Sequence, residues 1–82
     1  MQATDDIAIF VRTIDLGSFA AASADTGLTA SAVARIVTRL EARLGAKLLA
    51  RTTRRLSLTQ EGEVYLVHAR AIMVAVELAA AE

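Results

Sequence analysis

Residues 29–44 read T-A-S-A-V-A-R-I-V-T-R-L-E-A-R-L, and the fold turns on this stretch. Val33, Val37, Leu40 and Leu44 recur at i, i+4, i+7 and i+11, which aligns them as one apolar stripe on a helix. Ala30, Ser31, Ala34, Arg35 and Thr38 lie on another side and begin at the helix N-terminus. Side chains this small let a helix approach a surface closely, and a basic residue among them makes a polyanion the natural surface. A helix of this build suits the major groove of duplex DNA, which is wide enough to admit one. Thr29 stands where an N-cap is needed, and Gly45 stands where the helix must stop.

Upstream, Ser18 caps a second, short helix from Phe19 to about Asp25. Gly27 follows where the chain reverses, a position that favours positive φ, and Leu28 is the buried residue expected of that turn. Helix, tight glycine turn, helix is the helix-turn-helix arrangement. Further upstream, Thr4 caps a first helix, with Asp5 and Asp6 placed well against its dipole. Ile7, Phe10, Val11 and Ile14 form its core face, and Gly17 ends it.

Downstream of Gly45 the period changes. Leu48 and Leu49 precede Arg51-Thr52-Thr53-Arg54-Arg55, and Leu56-Ser57-Leu58 alternates. Two short strands joined by a basic turn predict a wing near residues 46–58. Thr59 then caps a long last helix. Val64, Tyr65, Leu66, Val67, Ala69, Ala71, Ile72, Met73, Val74, Ala75, Val76 and Leu78 surround that helix almost completely. A helix apolar on every side needs cover on every side. One side can cover the helix-turn-helix core and the other needs a partner, which predicts a homodimer with Tyr65, Val67, Ile72 and Val76 as its contacts. A membrane span is the weaker reading, because His68, Arg70 and Glu77 fall inside the stretch.

The chain of 82 residues is one small domain with modest burial of its own. Its formal net charge is zero, yet the charge is unevenly placed. Arg35, Arg39, Arg43, Lys47, Arg51, Arg54 and Arg55 face the single acid Glu41 within one segment, a local +6. The field over one face governs polyanion binding, and the total does not. With no cysteine, disulfides and thiolate metal sites are excluded and a reducing compartment is the natural setting. The acidic opening MQATDD has no basic n-region of a signal peptide, so the expected location is the cytoplasm. His68 is the single histidine, and no second ligand or carboxylate cluster accompanies it at metal spacing. Neither an enzyme nor a cofactor is expected.

The expected DNA contacts are Ser18, Thr29, Ala30, Ser31, Ala34, Arg35, Thr38, Arg39, Arg51, Thr53, Arg54 and Arg55. Arg35 is the foremost of them, and Arg54 and Arg55 suit phosphates or the minor groove. Arg51 also has a structural reading, because it ends a strand beside the core. Glu41 reads as a structural acid within reach of a neighbouring arginine. The competing reading is a winged helix that binds another protein and dimerises through its last helix. The basic run from Arg35 to Arg55 separates the two, since a protein-binding face does not require it.

Gly17-Ser18-Phe19, then AAASADTGLTASAVARIVTRLEARLGAKLLART, then LSLTQEGEVYLVHAR closely resemble the N-terminal domain of LysR-type transcriptional regulators. The specific residues are Ala32-Val33, Arg35, Leu40-Glu41, Leu44-Gly45, Leu48, Arg51 and Leu58-Thr59 with Gly62, and the resemblance covers essentially the whole chain. It implies a mainly α winged helix-turn-helix, with a three-helix core and a two-stranded wing over residues 1–58. It implies dimerisation through a linker helix over 59–82, and a double-stranded DNA target with dyad symmetry. It also implies an effector-binding domain beyond residue 82, where a small molecule would bind and further assembly to a tetramer would arise. The chain departs from the family at Ala30, Ala34 and Ile36, where polar side chains are usual, and at Thr26 and Leu49. Its third helix is correspondingly poor in hydrogen-bonding groups.

Overall fold

A computed structural model describes residues 3–51 and 56–81, with side chains from residue 5 onward. The chain runs α1 (Ala3–Leu16), α2 (Phe19–Thr26), α3 (Ala30–Leu44), β1 (Leu49–Arg51), β2 (Leu56–Leu58) and α4 (Gln60–Ala81). The boundaries of α2 and α3 have local causes. Ser18 Oγ accepts the Ala21 N–H at 3.0 Å and starts α2. Thr29 Oγ1 accepts the Ala32 N–H at 3.0 Å and starts α3. Gly27 takes φ 78°, a left-handed conformation that ends α2 with a hydrogen bond to the Ser23 carbonyl. α1 spans Ala3–Leu16, so position 4 lies within the helix and not before it.

Two connected clusters make the core. Phe10, Val11, Val37, Leu40, Leu48, Leu49 and Ala69 form one, and Ile9, Ala22, Val33 and Ile36 form the other, with Phe19 packed against both. The buried stripe of α3 therefore differs from the expected one. Val33, Val37 and Leu40 are buried, Leu44 is 44% exposed, and Ile36 is buried. Leu44, at the last turn of α3, borders an open groove shared with Val64 and His68 of α4, whereas Ile36 meets the α1–α2 corner. Leu28 is half-buried against that second cluster.

Among the described residues two acids are buried. Asp6 is paired with Arg43 at 2.9 Å, which ties α1 to the last turn of α3. Glu41 does not meet an arginine, as its sequence position had suggested. Its Oε2 accepts the backbone N–H groups of Leu48 and Leu49, and among the described residues its ion-pair partner is Lys47, 4.0 Å from Oε1.

The wing is a two-stranded antiparallel sheet with Leu49 opposite Leu58, Ala50 opposite Ser57 and Arg51 opposite Leu56. Thr59 joins it to α4. Its N–H donates to the Leu48 carbonyl at 3.0 Å, its hydroxyl donates to the Lys47 carbonyl, and its Oγ1 caps the helix by accepting from Gly62 N–H at 2.9 Å. At Gly62 the backbones come so close that an added Cβ would sit 2.1 Å from the Leu48 carbonyl oxygen.

α4 lays one edge on the core, with Gly62 and Ala69 buried and Tyr65, Leu66 and Met73 partly so. Tyr65 stands edge-on to Phe10, ring centroids 5.6 Å apart. Arg70 reaches back to Asp15 of α1 with a two-pronged hydrogen bond, the shorter prong 2.6 Å. α4 begins just after residues 58 and 59 and packs on the core through Tyr65, Leu66, Ala69 and Met73. By length and composition α4 could cross a membrane, but a span would have to detach Arg70 from Asp15 and Tyr65 from Phe10.

Candidate nucleic-acid interface

The face of α3 opposite its buried stripe carries Ser31, Arg35, Thr38 and Ala42, all exposed. Their spacing of four, three and four residues places them in one line along the helix. Ala42 completes the line and was legible from that same spacing, although the sequence reading stopped at Thr38. Ala30 is exposed at the head of the helix, while Ala34 is half-buried on its shoulder. Arg39 stands on the other flank, where it lines a shallow groove with Leu28, Ala32, Arg35 and Ile36.

The cations divide into two groups. Arg12 is tied to Asp25, Arg43 to Asp6 and Arg70 to Asp15. The Asp25 hydrogen bond raises the Arg12 pKa further above its ordinary value, and the Arg12 guanidinium in turn holds Asp25 below the usual carboxylate range. Arg35 and Arg39 have no acidic partner among the described residues. The acid for Arg43 comes from α1, outside the basic segment, so the positive field of that segment is smaller than the count of its residues. Among the described residues, Arg35 and Arg39 remain on α3, with Lys47 and Arg51 beyond its end.

Arg51 joins three elements. It ends β1, donates a hydrogen bond to Thr38 Oγ1 at 3.0 Å, and lies over the Phe19 ring at 5.1 Å from its centroid. Phe19, the first residue of α2, is the platform under that guanidinium and packs on both core clusters. Ser18 is half-buried at the same corner, and its oxygen is engaged as the cap of α2. Thr29 is exposed while it caps α3. Thr53, Arg54 and Arg55 lie outside the described residues. Of the four residues expected to dimerise, Tyr65 faces the domain's own core. Val67 points fully outward at 69% exposure, and Ile72 and Val76 stand on the flank at 37% and 43%.

The sequence matches the bacterial regulatory helix-turn-helix proteins of the lysR family over residues 4–63. The chain belongs to the LysR family. It is 47% identical to CrgA, an HTH-type transcriptional regulator of Neisseria meningitidis, over 79 residues, which are 96% of this chain and 26% of that protein. It is also 47% identical to the probable HTH-type transcriptional regulator LtrA of Klebsiella pneumoniae, over 85% of this chain and 23% of that one. This LysR-family chain therefore spans about a quarter of the length of these relatives. In three dimensions it is similar to the CbnR DNA-binding domain crystallised with DNA, with a TM-score of 0.90 and 28% identity over 96% of this chain and 91% of that one. The fold is that of LysR winged-helix domains: four helices and a two-stranded antiparallel sheet.

Proposed function

We propose that this chain is the DNA-binding domain of a bacterial LysR-type transcriptional regulator. On this reading it binds double-stranded DNA as a homodimer, with α3 in the major groove and the basic wing against backbone or minor groove. The observation that carries the reading is the outer face of α3. Arg35 and Thr38 stand in line on it, Arg39 flanks them, and small side chains leave room for base edges. Its role is regulatory and not enzymatic, in keeping with the transcriptional regulators it resembles. The cytoplasm, where the chromosome lies, is its site of action.

Dimerisation rests on α4. Val64, Val67, Ala71, Val74 and Leu78 alternate in steps of three and four, the spacing of a coiled-coil seam. All five are exposed, Val64 by 59% and Leu78 by 62%. A second copy covers this seam, and two-fold symmetry sets two α3 helices about one DNA turn apart, ~34 Å. Since the relatives are about four times longer, an effector-binding domain follows in the full regulator. There a small-molecule effector binds and any tetramer forms. The test is selection of bound duplexes from a random pool, followed by binding at several salt concentrations. Enrichment of a sequence with dyad symmetry supports the reading. Retention of protein partners with no preference among duplexes overturns it in favour of a protein-interaction module.

A further inference from the structure

Thr38 lies one turn beyond Arg35 on the exposed line of α3, and its hydroxyl is held differently from those of Thr13 and Thr26. Those two donate to the carbonyls four residues back, Ile9 at 2.7 Å and Ala22 at 2.8 Å. A helical threonine ordinarily spends its hydrogen this way. Thr38 Oγ1 instead accepts, from a terminal nitrogen of Arg51 at 3.0 Å. A guanidinium has five N–H donors and no acceptor, so it cannot receive the Thr38 hydrogen. Among the described residues Arg51 is the hydrogen-bond partner of that hydroxyl. Arg51 is itself steadied by the Phe19 ring below it, and Phe19 packs on both core clusters.

We propose that Arg51 is a positioning residue that fixes Thr38 as a hydrogen-bond donor toward DNA. At this point of the operator, α3 then selects a base edge that offers an acceptor in the major groove: purine N7, guanine O6 or thymine O4. It disfavours edges that offer only an exocyclic amine, because an oxygen that already accepts from a cation accepts poorly a second time. This rests on the reading of α3 as the DNA-reading helix. A free hydroxyl rotates to suit either kind of partner and discriminates poorly. Donation from a cation into one lone pair leaves the hydroxyl its hydrogen and one further lone pair; it polarises the O–H bond so that it donates more strongly, and it makes the oxygen a poorer acceptor for a second donor. Because Arg51 ends β1, the same hydrogen bond also sets the spacing between the wing and α3.

The experiment is selection from a random duplex pool by the wild-type chain and by Thr38→Val, Thr38→Ser, Arg51→Met and the double variant Thr38→Val/Arg51→Met. Both side chains are exposed, so far-UV circular dichroism should be the same for all five. Thr38→Val should lose about three- to tenfold of discrimination at one base position, the worth of one net hydrogen bond. Thr38→Ser should keep it. Arg51→Met should lose preference at that same position, with little further loss there in the double variant. Replacing the acceptor purine by its 7-deaza analogue should weaken the wild type and leave Thr38→Val unmoved wherever N7 is the acceptor. Unchanged preference in Thr38→Val overturns the proposal. So does a uniform loss in Arg51→Met with preference intact, or a Thr38→Val effect reproduced only by a methylphosphonate, since both report phosphate contacts. If the wild-type chain enriches no sequence at all, the DNA reading itself fails, and this inference with it.

Discussion

Glu41 Oε2 accepts two backbone N–H groups at once, Leu48 at 2.8 Å and Leu49 at 3.2 Å. Leu48 and Leu49 lead into β1, so one carboxylate pins the base of the wing to the helix that faces outward with Arg35 and Thr38. Glu41→Ala leaves both buried donors unpaired and is expected to destabilise the chain by about 2–3 kcal/mol. Glu41→Gln keeps an acceptor oxygen and should lose less. Urea unfolding measures the difference, and amide exchange at Leu48 and Leu49 should quicken in the alanine variant. Equal stability of all three chains would contradict this role.

Gly62→Ala sets two effects against each other. Alanine is favoured over glycine in a helix by about 1 kcal/mol. Its Cβ, however, would lie 2.1 Å from the Leu48 oxygen and 3.1 Å from Leu58 Cδ2. A backbone oxygen cannot step aside as the tip of a flexible side chain can. Strain should win, with a net loss of about 2–3 kcal/mol and a lower melting temperature. A rise in melting temperature would show that α4 docks less tightly on β1 than described.

Arg35→Ala should cost about 1–3 kcal/mol on the selected site and relax specificity at one base position, if its guanidinium takes guanine O6 and N7 together. Arg54→Ala or Arg55→Ala should weaken all duplexes alike, and each should flatten the slope of log affinity against log salt by about 0.9. Titrations of a selected and a scrambled duplex at several salt concentrations separate the two. An equal loss on both duplexes for Arg35→Ala would make it a phosphate clamp.

Val67→Glu or Val74→Glu places a charge in the exposed seam of α4 and should shift sedimentation at micromolar concentration to the monomer. Ile72→Glu, on the flank, should do less. Because Val67 and Val74 are exposed in the isolated chain, the folded fraction of each variant monomer should hardly change. A dimer that tolerates both charges would place the interface elsewhere.

The Arg70 hydrogen bond holds the Asp15 carboxyl below its ordinary value of 3.8. A depressed carboxylate contributes stability above its unfolded pKa and loses it as pH falls through the folded one. Asp15→Asn should therefore lower stability slightly at neutral pH and make no difference well below the ordinary value. Both partners are exposed, so the effect is small and screened by salt. Urea midpoints of the two chains at neutral and at acid pH, in low salt, measure it. A deficit that persists in acid would assign the role of Asp15 to packing.

The helices, the glycine turns and the wing were legible because their signals are local. A cap, a left-handed glycine and a change of period each act within a few residues. Ile36 was not legible as core, because a stripe drawn from Val33, Val37 and Leu40 does not say how wide the neighbouring helices make it. The partners of Asp6 and Glu41 are set by tertiary approach. No spacing rule links Asp6 to Arg43, or Glu41 to two backbone N–H groups. In α4 periodicity was blank, since apolar residues occupy every side. Only packing revealed that Tyr65 turns inward and Val67 outward. The cation count from Arg35 to Arg55 overstated the free charge, because Asp6 neutralises Arg43 from another helix.

The outer line of α3 carries a consequence for how such a chain can acquire a new genomic address. Ser31, Arg35 and Ala42 stand clear of the core, so on the proposed reading exchanging any one of them would rewrite part of the address without asking anything of the scaffold. Thr38 is different, because it is bonded to Arg51 and through it rests on Phe19. A lineage, or a designer, can change position 35 alone. A change at position 38 should succeed when position 51 changes with it, so the vocabulary of this helix comes in three single letters and one linked pair.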